Sequence, residues 1–177
     1  MRKELRYTNI LRFKSKLLLT IYGSYDKQGL LRLNELRNCL TKKGYTKTAL
    51  VLERPYPTKN AKEDNDQYFL RKSIYWLENS DACIFVFFND LNNEGVVFEL
   101  KHVCDRLEDK LSTCLVVIES RKARFSTSLI RGTITNLMLQ RKMNRRFFDN
   151  DAQLCRFCGS AAISFLKIRA PHILERT

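Results

Sequence analysis

The stretch Asp81-Ala82-Cys83-Ile84-Phe85-Val86-Phe87-Phe88-Asn89-Asp90-Leu91-Asn92-Asn93-Glu94-Gly95-Val96-Val97-Phe98-Glu99-Leu100 decides how the rest of the chain is read. Residues 82–88 are apolar in unbroken succession, counting Cys83. A strand with one wet face would alternate, so a run like this suits a central strand of a parallel sheet covered on both faces. A short polar turn, residues 89–94, follows it, and a helical pattern opens at Gly95. In open α/β sheets ligands bind where the chain leaves the carboxyl end of a strand for the next helix. The acidic residue that best fits such a place is Glu99.

At about 100° per residue, Val96, Val97, Leu100, Val103, Cys104 and Leu107 make one apolar stripe. Glu99 lies to the side of that stripe, at the rim of the buried face, where a carboxylate is half enclosed. A plainer account is an acid in the first turns of a helix, favoured by the helix dipole. Working outward, residues 17–22 read as a first strand and residues 28–43 as a helix with Leu30, Leu33, Leu36 and Leu40 on one face, stopped by Gly44. Residues 48–52 read as a second strand. Two prolines at 55 and 57 forbid continuation, and the polar stretch up to residue 66 is either a lid or an inert loop.

The next helix, residues 66–78, turns Phe69, Leu70, Ser73, Ile74 and Leu77 inward, and Trp76 reads as packing. Residues 114–118 read as a fourth strand, 121–131 as a basic loop with a short helix, and 145–149 as a fifth, edge strand. Periodicity leaves 134–140 open. A last helix spans 151–166, with residues 149–151 as its capping region. This alternation predicts a doubly wound α/β sandwich of three layers, flavodoxin- or Rossmann-like, with a mostly parallel sheet of about five strands. Residues 1–15 read as a basic extension and 16–177 as one domain, the number that 177 residues accommodate.

Net charge is +13 and uneven. Residues 1–60 hold 14 Lys/Arg against 4 Asp/Glu, residues 61–119 hold 6 against 12, and residues 120–177 hold 12 against 3. The acidic middle contains Glu99; the basic ends are either a solvated surface or an attraction for nucleic acid or an anionic nucleotide. No segment has the roughly 18 apolar residues of a membrane span, and no secretory signal is evident in residues 1–16. Most of the six cysteines fall on apolar positions, as reduced thiols do, so a cytoplasmic location is expected.

Asn93-x-Gly95-x-x-x-Glu99, after the strand opening Ser80-Asp81-Ala82, resembles nucleoside 2-deoxyribosyltransferases, in which Asp-x-Gly-x-x-x-Glu follows the third strand and its Glu is the nucleophile. The opening strand, residues 17–24, ending Tyr22-Gly23-Ser24, is similar to that family's first strand. Ser24-Tyr25-Asp26 and Phe98-Glu99-Leu100 also resemble TIR domains that cleave NAD. Together these resemblances cover roughly residues 16–120. Two positions depart from the transferase pattern: Asn93 replaces an Asp, and Ser73 stands where another acid is expected.

What the resemblance implies is cleavage or transfer at an N-glycosidic bond of a nucleoside, nucleotide or NAD. Glu99 would attack C1′ or stabilise the oxocarbenium ion, by the carboxylate logic of glycoside hydrolysis. Tyr22 would orient Glu99 or a sugar hydroxyl. Gly23, Ser24, Asn93 and Gly95 would hold ribose or phosphate, and Asp26 would bind a ribose hydroxyl or cap the first helix. A homo-oligomer is implied as well.

Other chemistry is less well provided for. Cys155-x-x-Cys158 has redox or zinc spacing, yet His102 and His172 sit in no ligand motif, so no metal is expected. No Gly-rich P-loop, dinucleotide fingerprint or serine elbow is present, so no cofactor is expected. Two alternatives to glycosidic chemistry stand: a non-catalytic nucleotide-binding or signal-sensing module of the same fold, and a basic nucleic-acid-associated protein.

Overall fold

The apolar run 82–88 forms the middle strand of the sheet. In a computed structural model that describes residues 12–60, 62–89, 91–120 and 143–175, this strand, β3 (Ala82–Phe87), has all six residues buried. The other strands are β1 (Leu19–Tyr22), β2 (Thr48–Leu50), β4 (Cys114–Glu119) and β5 (Asn144–Phe148), and the helices are α1 (Lys27–Lys42), α2 (Asn65–Asn79), α3 (Glu94–Arg106) and α4 (Asp151–Glu175). The sheet has the order β2-β1-β3-β4-β5, and every pairing is parallel. The expected doubly wound α/β sandwich is therefore present, with a wholly parallel sheet.

The chain steps from β1 to β2 in one direction and from β2 over to β3 and on to β4 in the other. Crossovers of one hand then put α1 on one face and α2 and α3 on the opposite face. Alternate residues along each strand supply the two cores. Leu19, Ile21, Ile84, Val86, Leu115 and Val117 pack with α1 and α4. Tyr22, Cys83, Phe85, Phe87, Val116 and Ile118 pack with α2 and α3. Three helix starts are capped by side chains: Asp26 and Asp64 accept the amides of Gly29 and Gln67, both at 2.7 Å, and Asn150 accepts the Gln153 amide. Gly44 closes α1 with φ of +96°, a conformation that favours glycine.

Four expectations need correction. Strand two is shorter than expected, because a 3-10 turn, Val51–Glu53, takes over at Val51. Phe69 and Leu70 do not face the core; they are 45% and 51% exposed, whereas Lys72 and Ser73 are buried. Helix α4 continues to Glu175, past Pro171, because Ala170 and Ile173 extend its buried stripe. Finally, Cys155 bonds to Cys39 rather than pairing with Cys158 or staying reduced. Helices α1 and α4 lie side by side with these two Cα atoms 6.3 Å apart, while Cys158 is buried as a free thiol.

The stretch after the 3-10 turn lies along α2. Tyr56 contacts the rings of Tyr68 and Tyr75, and Trp76 Nε1 donates to the Pro55 carbonyl. No helix among the described residues is long and apolar enough to cross a membrane. The expected loop 121–131, segment 134–140 and most of the extension 1–15 lie outside the described residues.

Candidate functional site

The reversal in strand order falls between β1 and β3, and a crevice at the carboxyl end of the sheet is expected there. A cleft of about 840 Å³ occupies this place. Tyr25 contributes from the loop after β1, Val51 and Leu52 from the turn after β2, and Asn92, Glu94, Gly95, Phe98 and Glu99 from the β3–α3 connection and α3. Helix α2 supplies the facing wall through Asp66, Phe69, Leu70, Lys72 and Ser73. The volume is in the range of small-molecule sites.

Glu99 lies at the bottom of this cleft, more deeply than its rim position on the helix suggested. It is 7% exposed. Ser73 Oγ donates to its Oε1 at 2.6 Å, and its Oε2 is buried with no hydrogen-bond partner among the described residues. Burial pushes the Glu99 carboxyl up to about 8, and the Ser73 hydroxyl opposes that shift. At neutral pH the side chain is therefore mostly a neutral acid. A buried polar atom lacking a partner is costly, and a ligand entering the cleft is one way to satisfy it.

Tyr22 stands one step behind. It is fully buried, stacked on Phe85 at 5.2 Å, and its hydroxyl makes a long 3.5 Å contact to the Ser73 carbonyl. It thus reaches Glu99 through Ser73 rather than directly. Burial raises the phenols of both Tyr22 and Tyr25 well above the usual value, and the nearby Glu99 charge adds to each shift.

The remaining expected residues divide. Gly95 lines the cleft, and a Cβ built there would meet nothing within 4 Å, so open space faces it. Gly23 is a packing position: its Cβ would lie 2.9 Å from Leu33 Cδ2 and 3.3 Å from the Val86 carbonyl. Ser24 Oγ donates to Asp26 Oδ2 at 2.8 Å, and the other oxygen of Asp26 caps α1, which together hold the Asp26 carboxyl below its usual value. Asn93 braces its own loop, accepting from the Phe88 amide and donating to the Phe88 and Leu91 carbonyls. Of the seven, Glu99 and Gly95 line the cleft among the described residues, and Tyr22 backs it.

Several lining residues escaped the sequence reading. Tyr25, one residue beyond Ser24, is the side chain that the first loop sends to the cleft. Phe69, Leu70 and Phe98 are large apolar residues left 45–58% exposed at its sides. A signal existed for Phe98, which falls off the apolar stripe of α3. Lys72 is buried with Nζ donating to the Leu52 carbonyl at 2.7 Å, and burial lowers its ammonium.

The molecule is thus a doubly wound α/β protein with one buried acid in a ligand-sized cleft at its strand-order reversal. No protein-family model matches the chain, and no curated protein is significantly similar to it.

Proposed function

We propose that the cleft cleaves or transfers at the N-glycosidic bond of a nucleoside, with Glu99 as nucleophile. The observation that carries this reading is the Glu99 carboxyl itself, held through one oxygen by Ser73, with the other lacking a partner among the described residues, in a cleft of about 840 Å³. In its ionised form that oxygen attacks C1′, forming a glycosyl ester as the C1′–N bond breaks and the base leaves with its electron pair, taking a proton from solvent. Water or a second base then takes the sugar and regenerates the carboxylate.

The walls favour an uncharged donor over a nucleotide or NAD. Asp66 and Glu94 flank the cleft, and its one described lining cation, Lys72, already donates to the Leu52 carbonyl. Phe69, Leu70 and Phe98 offer apolar surface for a base.

Base release measured by chromatography tests this, with wild type and Glu99→Gln incubated with deoxynucleosides, deoxynucleotides and NAD. The expected result is release from nucleosides by the wild type and at least a roughly thousandfold loss in the variant, the scale on which nucleophile removal acts. Full activity in Glu99→Gln would end the proposal.

One observation favours a second reading, binding without turnover. Glu99 is held up to about 8, and a neutral carboxyl donates a hydrogen bond well but attacks carbon poorly. A nucleoside bound by wild type, with no release between pH 7 and 9.5, would select that reading.

A further inference from the structure

Sharing no described lining residue with the Glu99 cleft, a groove at the sheet's β5 edge has no part in the glycosidic chemistry. Strand β5 pairs with β4 alone among the described strands. Its residues Arg145 and Arg146 point to opposite faces, and both line a cavity of about 710 Å³ that also takes in Arg156 and Phe157 of α4. A second cavity, of about 330 Å³, continues along α4 past Arg146, Arg156, Ser160 and Ser164. The two share Arg146, Arg156 and Phe157, so they form one groove over the strand edge and along the helix.

Three features of the groove belong together. Arg156, Ser160 and Ser164 stand at i, i+4 and i+8, a row of donors spaced by about 6 Å per step along one side of α4. Asp149 is its only acid among the described lining residues. Each of two aromatic rings has a guanidinium against it: Arg145 lies 4.9 Å from the centre of Phe147, and Arg156 lies 5.3 Å from that of Phe157. Arginine and serine donors arranged in a line suit the successive phosphates of a polymer. Half-buried aromatic rings beside them suit unpaired bases, whose faces are available for stacking.

We propose that this groove binds single-stranded nucleic acid, with Arg146 and Arg156 on the backbone and Phe157 against a base. The site is independent of the Glu99 cleft, so failure of either assignment leaves the other standing.

The test is fluorescence anisotropy of labelled 20-nucleotide single-stranded DNA and RNA, and of a matching duplex, with the full chain across a salt series. Arg146→Glu/Arg156→Glu should weaken single-strand binding at least roughly tenfold. It should also lower the salt slope by about 1.4, at roughly 0.7 for each phosphate no longer neutralised. Ser160→Asp/Ser164→Asp, on exposed positions of the same row, should weaken it as well. Lys42→Glu/Lys47→Glu makes the same charge change at exposed sites on the α1 side and should have a much smaller effect. Equal weakening by the lysine pair would reduce the interaction to net charge and overturn the assignment. Binding that is tighter to duplex than to single strands would overturn it too, as would no binding at low salt. Circular dichroism of each variant checks that it is folded.

Discussion

Glu99 and Ser73 are 26 positions apart in the chain and their side chains meet at 2.6 Å; burial of Glu99, opposed by this hydrogen bond, sets how the cleft responds to pH. The folded carboxyl keeps its proton up to about 8, whereas an unfolded chain releases it near 4.5. Between those values the folded state binds more protons, so the Glu99 contribution to stability falls as pH rises through the window and is flat outside it. The slope approaches about 1.4 kcal/mol per pH unit. Glu99→Gln should abolish this dependence: denaturant titrations at pH 5 and pH 8.5 should show the variant gaining stability on the wild type at the higher pH. If Glu99 is the nucleophile, kcat/KM rises with pH through about 8. Ser73→Ala removes the hydroxyl that opposes the upward shift, so the midpoint of that profile should move to higher pH. An unmoved midpoint would separate Ser73 from the chemistry. The place of Glu99, beside the carboxyl end of the sheet, was legible in the sequence from its spacing after an apolar strand. Its depth was not, because enclosure depends on α2, whose approach no local pattern encodes.

At the scale of elements, two glycines make opposite forecasts. A Cβ on Gly29 would fall 2.4 Å from the Ser24 carbonyl oxygen, a backbone atom that cannot turn aside. Gly29→Ala must therefore push the start of α1 away from the β1 loop, at about 1–3 kcal/mol in thermal or denaturant unfolding. Gly95 faces open cleft space, and alanine is the better helix former. Gly95→Ala should leave the melting temperature unchanged or raised, and any fall in activity then reports contact with substrate. Strands and helices were legible because periods of 2 and 3.6 separate cleanly along most of the chain. One error sits where an apolar residue serves a cleft instead of a core: Phe69 and Leu70 have the spacing of an inward face and line the cleft instead. The place of Tyr25 was hidden for a related reason, since loop direction rather than composition selects which residue of Gly23 to Asp26 reaches the cleft.

Across the whole molecule, the Cys39–Cys155 bond ties α1 to α4 over a separation of 116 residues. Closing so long a loop in the unfolded chain predicts about 4–5 kcal/mol of stabilisation from lost chain entropy. Cys39→Ser/Cys155→Ser, or a reductant, should lower the denaturation midpoint, while Cys158→Ser should not reproduce that cross-link effect. A midpoint insensitive to reductant would show that the bond contributes nothing. Such a pairing was not legible, because cysteine spacing suggested Cys155 with Cys158 and only the packing of two helices far apart in sequence brings Cys39 near. The strand order has a consequence for the order of synthesis. Strands β1, β2 and β3 can pair once residue 87 has left the ribosome, yet the face bearing Leu19, Ile21, Ile84 and Val86 is closed jointly by α1 and α4, and α4 begins at Asp151. At about 5–20 residues per second, that face stays half covered for several seconds of translation. A nascent chain stalled before residue 151 thus lacks the second cover of that face and still presents apolar surface to water.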